Sequence, residues 1–285
     1  MKPTYVSLRL CVVAIVAIVA AVAFAIASPA RAGAWTAPQG RSYHKVSVSY
    51  FGADSEFDVR HEERPFELEG KFTDTTVSYY GEYGIVDRLT VFGTLPLKQI
   101  HYANLFEEGT TSGVADVELG LRLRLAVRGP FVLSLHGLVK VPGGYDGSDR
   151  LPLGNDQVDG ELRFLAGTSA LKGRLYFGGE AAYRYRGQAP SDEWRFLFEI
   201  GGTFTQSFYG RLKLDEVRSA ENQDTVLDVF GNPLAQLSSE LRRAEFTLGA
   251  QFSKHVSGEA SWAPIYYGTS IAKGATYSLA VVWAF

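Results

Sequence analysis

The chain has 285 residues, of which 46% are hydrophobic and 21% are charged, so its composition excludes a disordered chain. A single cysteine, Cys11, excludes a disulfide scaffold and a cysteine-based zinc site. The net charge of -3 argues against a nucleic-acid partner. The 15 Tyr, 18 Phe and 30 Gly, against one Met, indicate strands and turns rather than helices.

The first residues have the layout of a secretory signal peptide. Basic residues precede an apolar run at 10–27, Pro29 interrupts the run, and Ala30-Arg31-Ala32 supplies the small residues of a cleavage site. An uncleaved membrane anchor is the alternative, because the apolar run is long for a signal peptide. We predict a signal peptide at 1–32, cleaved before Gly33. The mature chain would then carry 25 Lys and Arg against 31 Asp and Glu, and no cysteine.

Beyond the signal peptide, apolar residues recur with a period of two. From Ala115 to Leu125, odd positions are apolar and even positions are charged or glycine. This alternation puts all the apolar side chains on one face of a strand. Segments of this kind, about ten to thirteen residues long, suit tilted membrane-spanning strands. We predict twelve, at 41–52, 71–84, 88–98, 114–126, 131–142, 157–168, 175–186, 193–204, 209–217, 240–252, 257–267 and 275–285.

The connections between these segments alternate between short and longer stretches. Outer-membrane barrels have short periplasmic turns and longer extracellular loops. An even strand number also places both termini and all short turns on the periplasmic side. The fold class predicted for 33–285 is therefore all-β, a single antiparallel transmembrane β-barrel of about 12 strands. The expected extracellular loops are 53–70, 99–113, 143–156, 187–192, 218–239 and 268–274.

Alternation alone also fits a soluble β-sandwich, with its apolar face inward. The C-terminal segment favours the barrel, because Tyr277 to Phe285 alternates and ends in Phe. This ending resembles the strand by which the outer-membrane assembly machinery recognises its substrates. Aromatic residues near strand ends on the apolar face are expected to form two girdles at the lipid interfaces. They are Tyr79, Tyr83, Tyr183, Tyr185, Trp194, Phe204, Tyr277, Trp283 and Phe285.

The charged face is predicted to line the lumen. Turning it toward lipid would cost about 2–4 kcal/mol for each Arg or Lys near the membrane centre. The pore candidates are Asp116, Glu118, Arg122, Arg124, His136, Lys140, Asp159, Glu161, Arg163, Glu180, Arg184, Arg195, Glu199, Arg243 and Glu245. Acids and bases at near-opposing positions could pair in a packed network that plugs the barrel, or could line a narrow polar passage (Glu118 with Arg122, Glu161 with Arg163, Glu180 with Arg184, Arg195 with Glu199). We expect a mostly filled or constricted lumen.

Several motifs resemble those of the meta-pathway of phenol degradation family of outer-membrane proteins. They are Glu82 to Thr90, Gly113 to Arg122, Val139 to Tyr145, Pro152 to Asp159 and Ser191 to Arg195. The resemblance implies an outer-membrane barrel that takes part in the uptake of aromatic or other hydrophobic compounds. It implies no catalytic residues. Aromatic side chains expected in the loops, as an apolar surface for such solutes, are Phe57, Phe66, Tyr102, Phe106, Tyr145 and Phe230.

Other candidate sites have simpler explanations. His255 and Ser257 resemble the His-x-Ser of outer-membrane phospholipases, but they fall on a predicted periplasmic turn. The acids near 143–156 match no calcium-loop spacing, and no histidine pair has metal spacing. No cofactor is expected.

The function predicted is passive passage of small molecules across the outer membrane of a Gram-negative bacterium. The expected partners are outer-membrane lipid and lipopolysaccharide, the assembly machinery acting on the strand that ends at Phe285, and a small-molecule solute. The alternatives are a sealed structural or adhesive barrel and a lipid-modifying enzyme.

Overall fold

The computed structural model describes residues 33–188, 190–222 and 239–285. The predicted signal peptide, Phe230 and most of the 218–239 loop lie outside these residues. No helix among the described residues is long and apolar enough to cross a membrane. The strands are β1 (Ser42–Phe57), β2 (Glu63–Pro65), β3 (Lys71–Val86), β4 (Leu89–Ala103), β5 (Glu108–Val114), β6 (Val117–Arg128), β7 (Phe131–Val141), β8 (Asp159–Ala170), β9 (Leu175–Arg186), β10 (Glu193–Thr203), β11 (Phe208–Ser219), β12 (Glu240–Gln251), β13 (Val256–Thr269) and β14 (Ile271–Ala284).

The sheet closes into a barrel because its first and last long strands pair with each other. β1 and β14 are antiparallel, from Tyr43 opposite Ala284 to Phe57 opposite Ile271. β5 and β6 both pair with β4 and together form one strand of the wall, while β2 is a short addition beside β1. The wall therefore has the twelve antiparallel strands that the sequence predicts.

The two ends of the barrel differ as predicted. The connections β3–β4, β6–β7, β8–β9, β10–β11 and β12–β13 are short and lie at the end where the chain enters β1, the short-turn end. The other connections lie at the opposite, long-loop end.

At the long-loop end the strands continue further than predicted. All of β5 except Val114 lies within the predicted loop 99–113, and the predicted loop 268–274 is almost entirely strand, with the chain reversing at Ser270. These extensions are polar or irregular in pattern, but their backbone groups still pair with neighbouring strands. Alternation of hydrophobicity marks only the part of a strand that has one apolar face, so it missed them.

The outer surface of the barrel is apolar. Leu119, Leu121 and Leu123 of β6, and Leu162 and Phe164 of β8, are all exposed. The nine predicted girdle aromatics lie on this outer surface, where Trp194 packs edge-on against Tyr183 and Trp283 stacks on His44. A barrel with an apolar exterior is the arrangement that a bilayer requires. The predicted orientation of the two faces is therefore confirmed.

Candidate functional site: the lumen

The segment before β1 lies inside the barrel. Ala34 is buried against Val132 and Leu165 of the lumen wall, and the ring of Trp35 packs edge-on against Tyr176 at 6.0 Å. The wall also binds the backbone of this segment. Ser134 Oγ donates a hydrogen bond to the carbonyl of Ala34 at 2.5 Å, and Arg122 Nη1 donates to the carbonyl of Trp35 at 3.1 Å.

The same segment is anchored at the short-turn end. Thr36 Oγ1 donates to the carbonyl of Asp87 at 2.7 Å, and Thr90 Oγ1 accepts from the amide of Ala37 at 2.8 Å. Gly84 permits the close approach, because a Cβ there would lie 2.1 Å from the carbonyl oxygen of Pro38. Residues 33–38, hereafter the N-terminal plug, thus fill the short-turn half of the lumen beside β4 to β9. The sequence does not predict this plug, because its residues have no strand pattern.

The connection between β7 and β8 turns inward at the long-loop end. Its Leu153 is buried against Ile100 and Ala115, with Tyr145 packed beside them. The hydroxyl of Tyr145 donates to Asp116 and accepts from the amide of Asp156 at 2.8 Å. The plug and this connection therefore cover the same side of the lumen from its two ends.

The covered side carries a buried network of ion pairs centred on Glu161. Its carboxylate lies 2.7 Å from Arg163, 2.8 Å from Arg184 and 3.7 Å from Arg195. Glu118 extends the network through Arg184 at 2.7 Å. Each charge is compensated by neighbours, as burial in a low dielectric requires.

Three further pairs join the same wall. Arg163 contacts Glu180 at 2.5 Å, and Lys140 contacts Asp159 at 2.7 Å and Asp116 at 2.9 Å. The wall therefore contains compensated charge from β6 to β10.

A second series of ion pairs runs along β11 and β12 from one end of the barrel to the other. It begins at the long-loop end with Arg243 and Asp215, 2.7 Å apart, and continues through Lys213 and Glu199, 3.6 Å apart. It ends near the short turns, where the carboxylates of Glu245 and Glu259 both lie 3.5 Å from Arg211 and that of Glu259 lies 2.7 Å from Lys45.

Three of the four predicted ion pairs are wrong. Only Glu161 with Arg163 forms, while Arg122 contacts Glu82 at 3.1 Å, Glu180 contacts Arg163, and Arg195 contacts Glu193 at 2.9 Å. Residues four apart on a strand are separated by about 13 Å, whereas facing residues on adjacent strands are about 5 Å apart. Charges four apart consequently pair across strands, whereas Glu161 with Arg163 and Glu193 with Arg195, each two apart on one strand, pair within it.

The pore candidates lie on the lumen face, but they differ in access to water. Lys213, Glu245 and Arg243 keep 27%, 25% and 35% of their side-chain surface accessible, against 0% for Glu161 and 6% each for Arg184 and Lys140. Glu118, toward the long-loop end, keeps 30%. Water access within the second series is therefore uneven, because Glu199 and Glu259 keep only 5% and Arg211 11%.

Two candidates lie apart from these networks. Arg124 faces the lumen beside Ser134 but forms no ion pair with a described residue. His136 is buried, with its ring 4.2 Å from that of Phe92, and its ring nitrogens have no hydrogen-bond partner among the described residues.

Six charged residues that were not among the pore candidates also face the lumen. For the three on β11, the signal was present in the alternation of 209–217, but polar Glu216 and Arg218 on the outer face of that strand obscured it. The missed residues are Lys45, Glu82, Glu193, Arg211, Lys213 and Asp215.

The remaining candidates make separate contacts. His255 Nδ1 contacts the carbonyl of Ala284 at 2.9 Å, while Ser257 accepts from Tyr209 at 3.1 Å. Among the described residues, no cluster of three His, Cys, Asp or Glu has the geometry for a metal ion. Of the predicted loop aromatics, Phe57 is buried at the end of β1 and Phe106 is strongly exposed.

A closed twelve-stranded sheet with an apolar exterior and a charged, partly filled interior defines an outer-membrane β-barrel fold. No family model and no curated protein sequence match the chain. The fold is similar to the COG4313 outer membrane channel from Pseudomonas putida F1, with a TM-score of 0.73 at 15% identity over 90% of this chain and 100% of that one. It is also similar to the NanC porin, with a TM-score of 0.52 at 8% identity over 84% of this chain and 98% of that one. At these identities the likeness shows the fold.

Proposed function

We propose that this protein lies in the outer membrane of a Gram-negative bacterium and lets small polar solutes cross it passively. The closed sheet and apolar exterior support the location, since only helices and closed barrels satisfy backbone groups in lipid. The short-turn end would face the periplasm and the long loops the outside. The exterior would contact lipid and lipopolysaccharide, and the strand ending at Phe285 would engage the assembly machinery.

The observation that carries the proposal is the access to water of three lumen charges on β11 and β12. The plug and the β7–β8 connection fill the opposite side, yet Lys213, Glu245 and Arg243 remain accessible. A lumen with one packed wall and one hydrated wall is a narrow passage rather than a solid core. Twelve-stranded barrels are intermediate in width between filled eight-stranded barrels and open porins.

The charges of the passage favour weak discrimination by sign. Each accessible base lies beside an acid, whereas strong ion selectivity depends on a ring of one charge. Width would therefore limit the solute more than charge would. The resemblance to the phenol-degradation family adds aromatic compounds to the proposed solutes. An aromatic carboxylate such as benzoate has both an aromatic ring and a charged group that suits a polar passage.

Conductance in planar bilayers tests the proposal. Lys213→Gln should shift the reversal potential in a salt gradient toward cations, because it leaves Glu199 and Glu245 in excess. Lys254→Gln, at an exposed short turn, removes the same charge outside the lumen and should leave the potential unchanged. Equal potentials in the wild type and Lys213→Gln would place the path elsewhere.

A sealed structural barrel is the second candidate, favoured by the two segments inside the lumen. Folded protein that migrates differently before and after boiling, yet passes no current at any voltage, would establish it. If the barrel does conduct, swelling of liposomes in arabinose and in benzoate would show which of these solutes crosses it.

A further inference from the structure

Glu180 lies at the tip of the N-terminal plug. Its Oε2 atom pairs with Arg163 at 2.5 Å, while Oε1 accepts no hydrogen bond among the described residues. Oε1 is 3.9 Å from the Cβ position of Gly33, so the carboxylate borders the residue that the sequence predicts as the mature N-terminus. One carboxylate oxygen thus lies near the backbone of Gly33, the residue whose nitrogen becomes an amino group if the chain is cleaved there.

We propose that cleavage before Gly33 creates an α-ammonium group that binds Glu180 and locks the plug across the short-turn half of the lumen. A leader peptidase of the cell envelope would hydrolyse the Ala32–Gly33 bond with one water molecule. The carboxylate goes to Ala32 and the protonated amine to Gly33. The location of the plug comes from the structure alone, while its effect on conductance rests on the proposed function.

The chemistry of the site favours a cation at this position. Before cleavage the nitrogen of Gly33 is a neutral amide, and Arg163 is the charged group within 4 Å of Glu180 among the residues that the structure describes. After cleavage the ammonium supplies a second positive charge, in a region where Ala34 excludes water from the neighbouring wall. Charge pairs are stronger in such surroundings than in water.

The lock would hold a segment that is already tied at its other end. Thr36 and Ala37 bind the wall near the short turns, and Ser134 and Arg122 bind the middle of the plug. Fixing Gly33 closes the last free end. The plug then becomes a permanent part of the constriction rather than a segment that moves into and out of the lumen.

The first test measures reactivity of the α-amine in protein purified from the outer membrane after full-length expression. Intact mass should show a chain beginning at Gly33. Acetylation of its amine should be about tenfold slower than in Glu180→Gln, the effect of one pKa unit on the free amine. Glu193→Gln removes a lumen carboxylate near the long-loop end and should leave the rate unchanged. A different N-terminus, or equal rates in wild type and Glu180→Gln, would overturn the lock.

The second test measures position without using conductance. Ala34→Cys combined with Leu165→Cys should form a disulfide in the folded barrel, whose mature chain has no other cysteine. Ala34→Cys with Ala280→Cys, on the opposite wall, should not. Absence of the first disulfide in heat-modifiable protein would place the segment outside the lumen.

The third test connects the plug to passage. Deleting residues 34–38 should raise single-channel conductance severalfold, and unchanged conductance would overturn its role as a constriction. The disulfide and the slow acetylation could both be observed while neither the wild type nor the deletion variant passes current. That outcome would preserve the contact between Gly33 and Glu180, but it would refute both the constriction and the proposed passage.

Discussion

Ser134 Oγ donates a hydrogen bond of 2.5 Å to the carbonyl oxygen of Ala34, a residue one hundred positions earlier in the chain. Both residues are buried, so no water can replace the bond. Ser134→Ala leaves the carbonyl unsatisfied and should lower the free energy of unfolding by about 1–3 kcal/mol. Urea unfolding followed by gel mobility measures this.

Ser78→Ala is the matched control for that prediction. Ser78 also faces the lumen, but its hydroxyl makes no hydrogen bond within the described part of the chain. Its loss should cost less than about 0.5 kcal/mol. Equal effects of the two substitutions would mean that the bond to Ala34 contributes nothing.

Glu161 compensates three arginines while its own side chain is fully buried. Glu161→Gln leaves uncompensated positive charge in the wall and should destabilise the barrel by about 3–5 kcal/mol. Glu216→Gln breaks ion pairs with Arg218 and Arg242 on the outer face and should cost about 0–1 kcal/mol. Comparable unfolding midpoints for the two variants would contradict a buried network.

Leu121 tests which face of the sheet meets lipid. It is exposed in the middle of β6, so Leu121→Arg should cost about 2–4 kcal/mol in a bilayer. Val158→Arg, exposed at the long-loop end just before β8, should cost about 0–1 kcal/mol. Refolding into lipid vesicles measures both, and a tolerated Leu121→Arg would refute the lipid-facing assignment.

Asp192 joins two connections at the long-loop end. Its carboxylate accepts from Tyr183 at 2.5 Å, from the Arg186 amide at 2.7 Å and from Asn222 at 2.7 Å. Burial alone would raise the pKa of Asp192, but hydrogen bonds from Tyr183, the Arg186 amide and Asn222 bring it below the ordinary 3.8. These contacts therefore stabilise the folded state above that value, and the stabilisation is lost as pH falls through the lower folded pKa.

The Ala220 amide donates to the Asp192 carbonyl at 2.7 Å, so its hydrogen exchange reports whether the two connections remain joined through Asp192, a contact called the Asp192 latch below. Protection should be high at neutral pH and should fall in acid. Asp192→Asn should reduce protection at neutral pH and remove the acid dependence that the carboxylate causes. A wild-type protection factor that stays constant through the acid range would show that the carboxylate does not control the latch.

The alternation at Ala115–Leu125 was enough to place Leu121 outside and Arg122 inside, because successive side chains of a strand point to opposite faces. The partner of Arg122 was beyond such reasoning. Glu82 is forty residues away, and the contact depends on how β3, β4 and β6 are placed beside one another. Lys213 was missed for a related reason, since charged residues on both faces of β11 weakened the alternation that identifies a strand.

The sequence by itself determined that the chain alternates with period two, that its apolar face suits lipid and that its charged face is interior, because these are properties of single strands. Only the tertiary structure decided which charges pair and which remain hydrated, because the nearest neighbours of a strand residue lie on other strands. It also decided that residues 33–38 enter the lumen. Their place depends on the shape of the space enclosed by β4 to β9, which exists only once the barrel has closed.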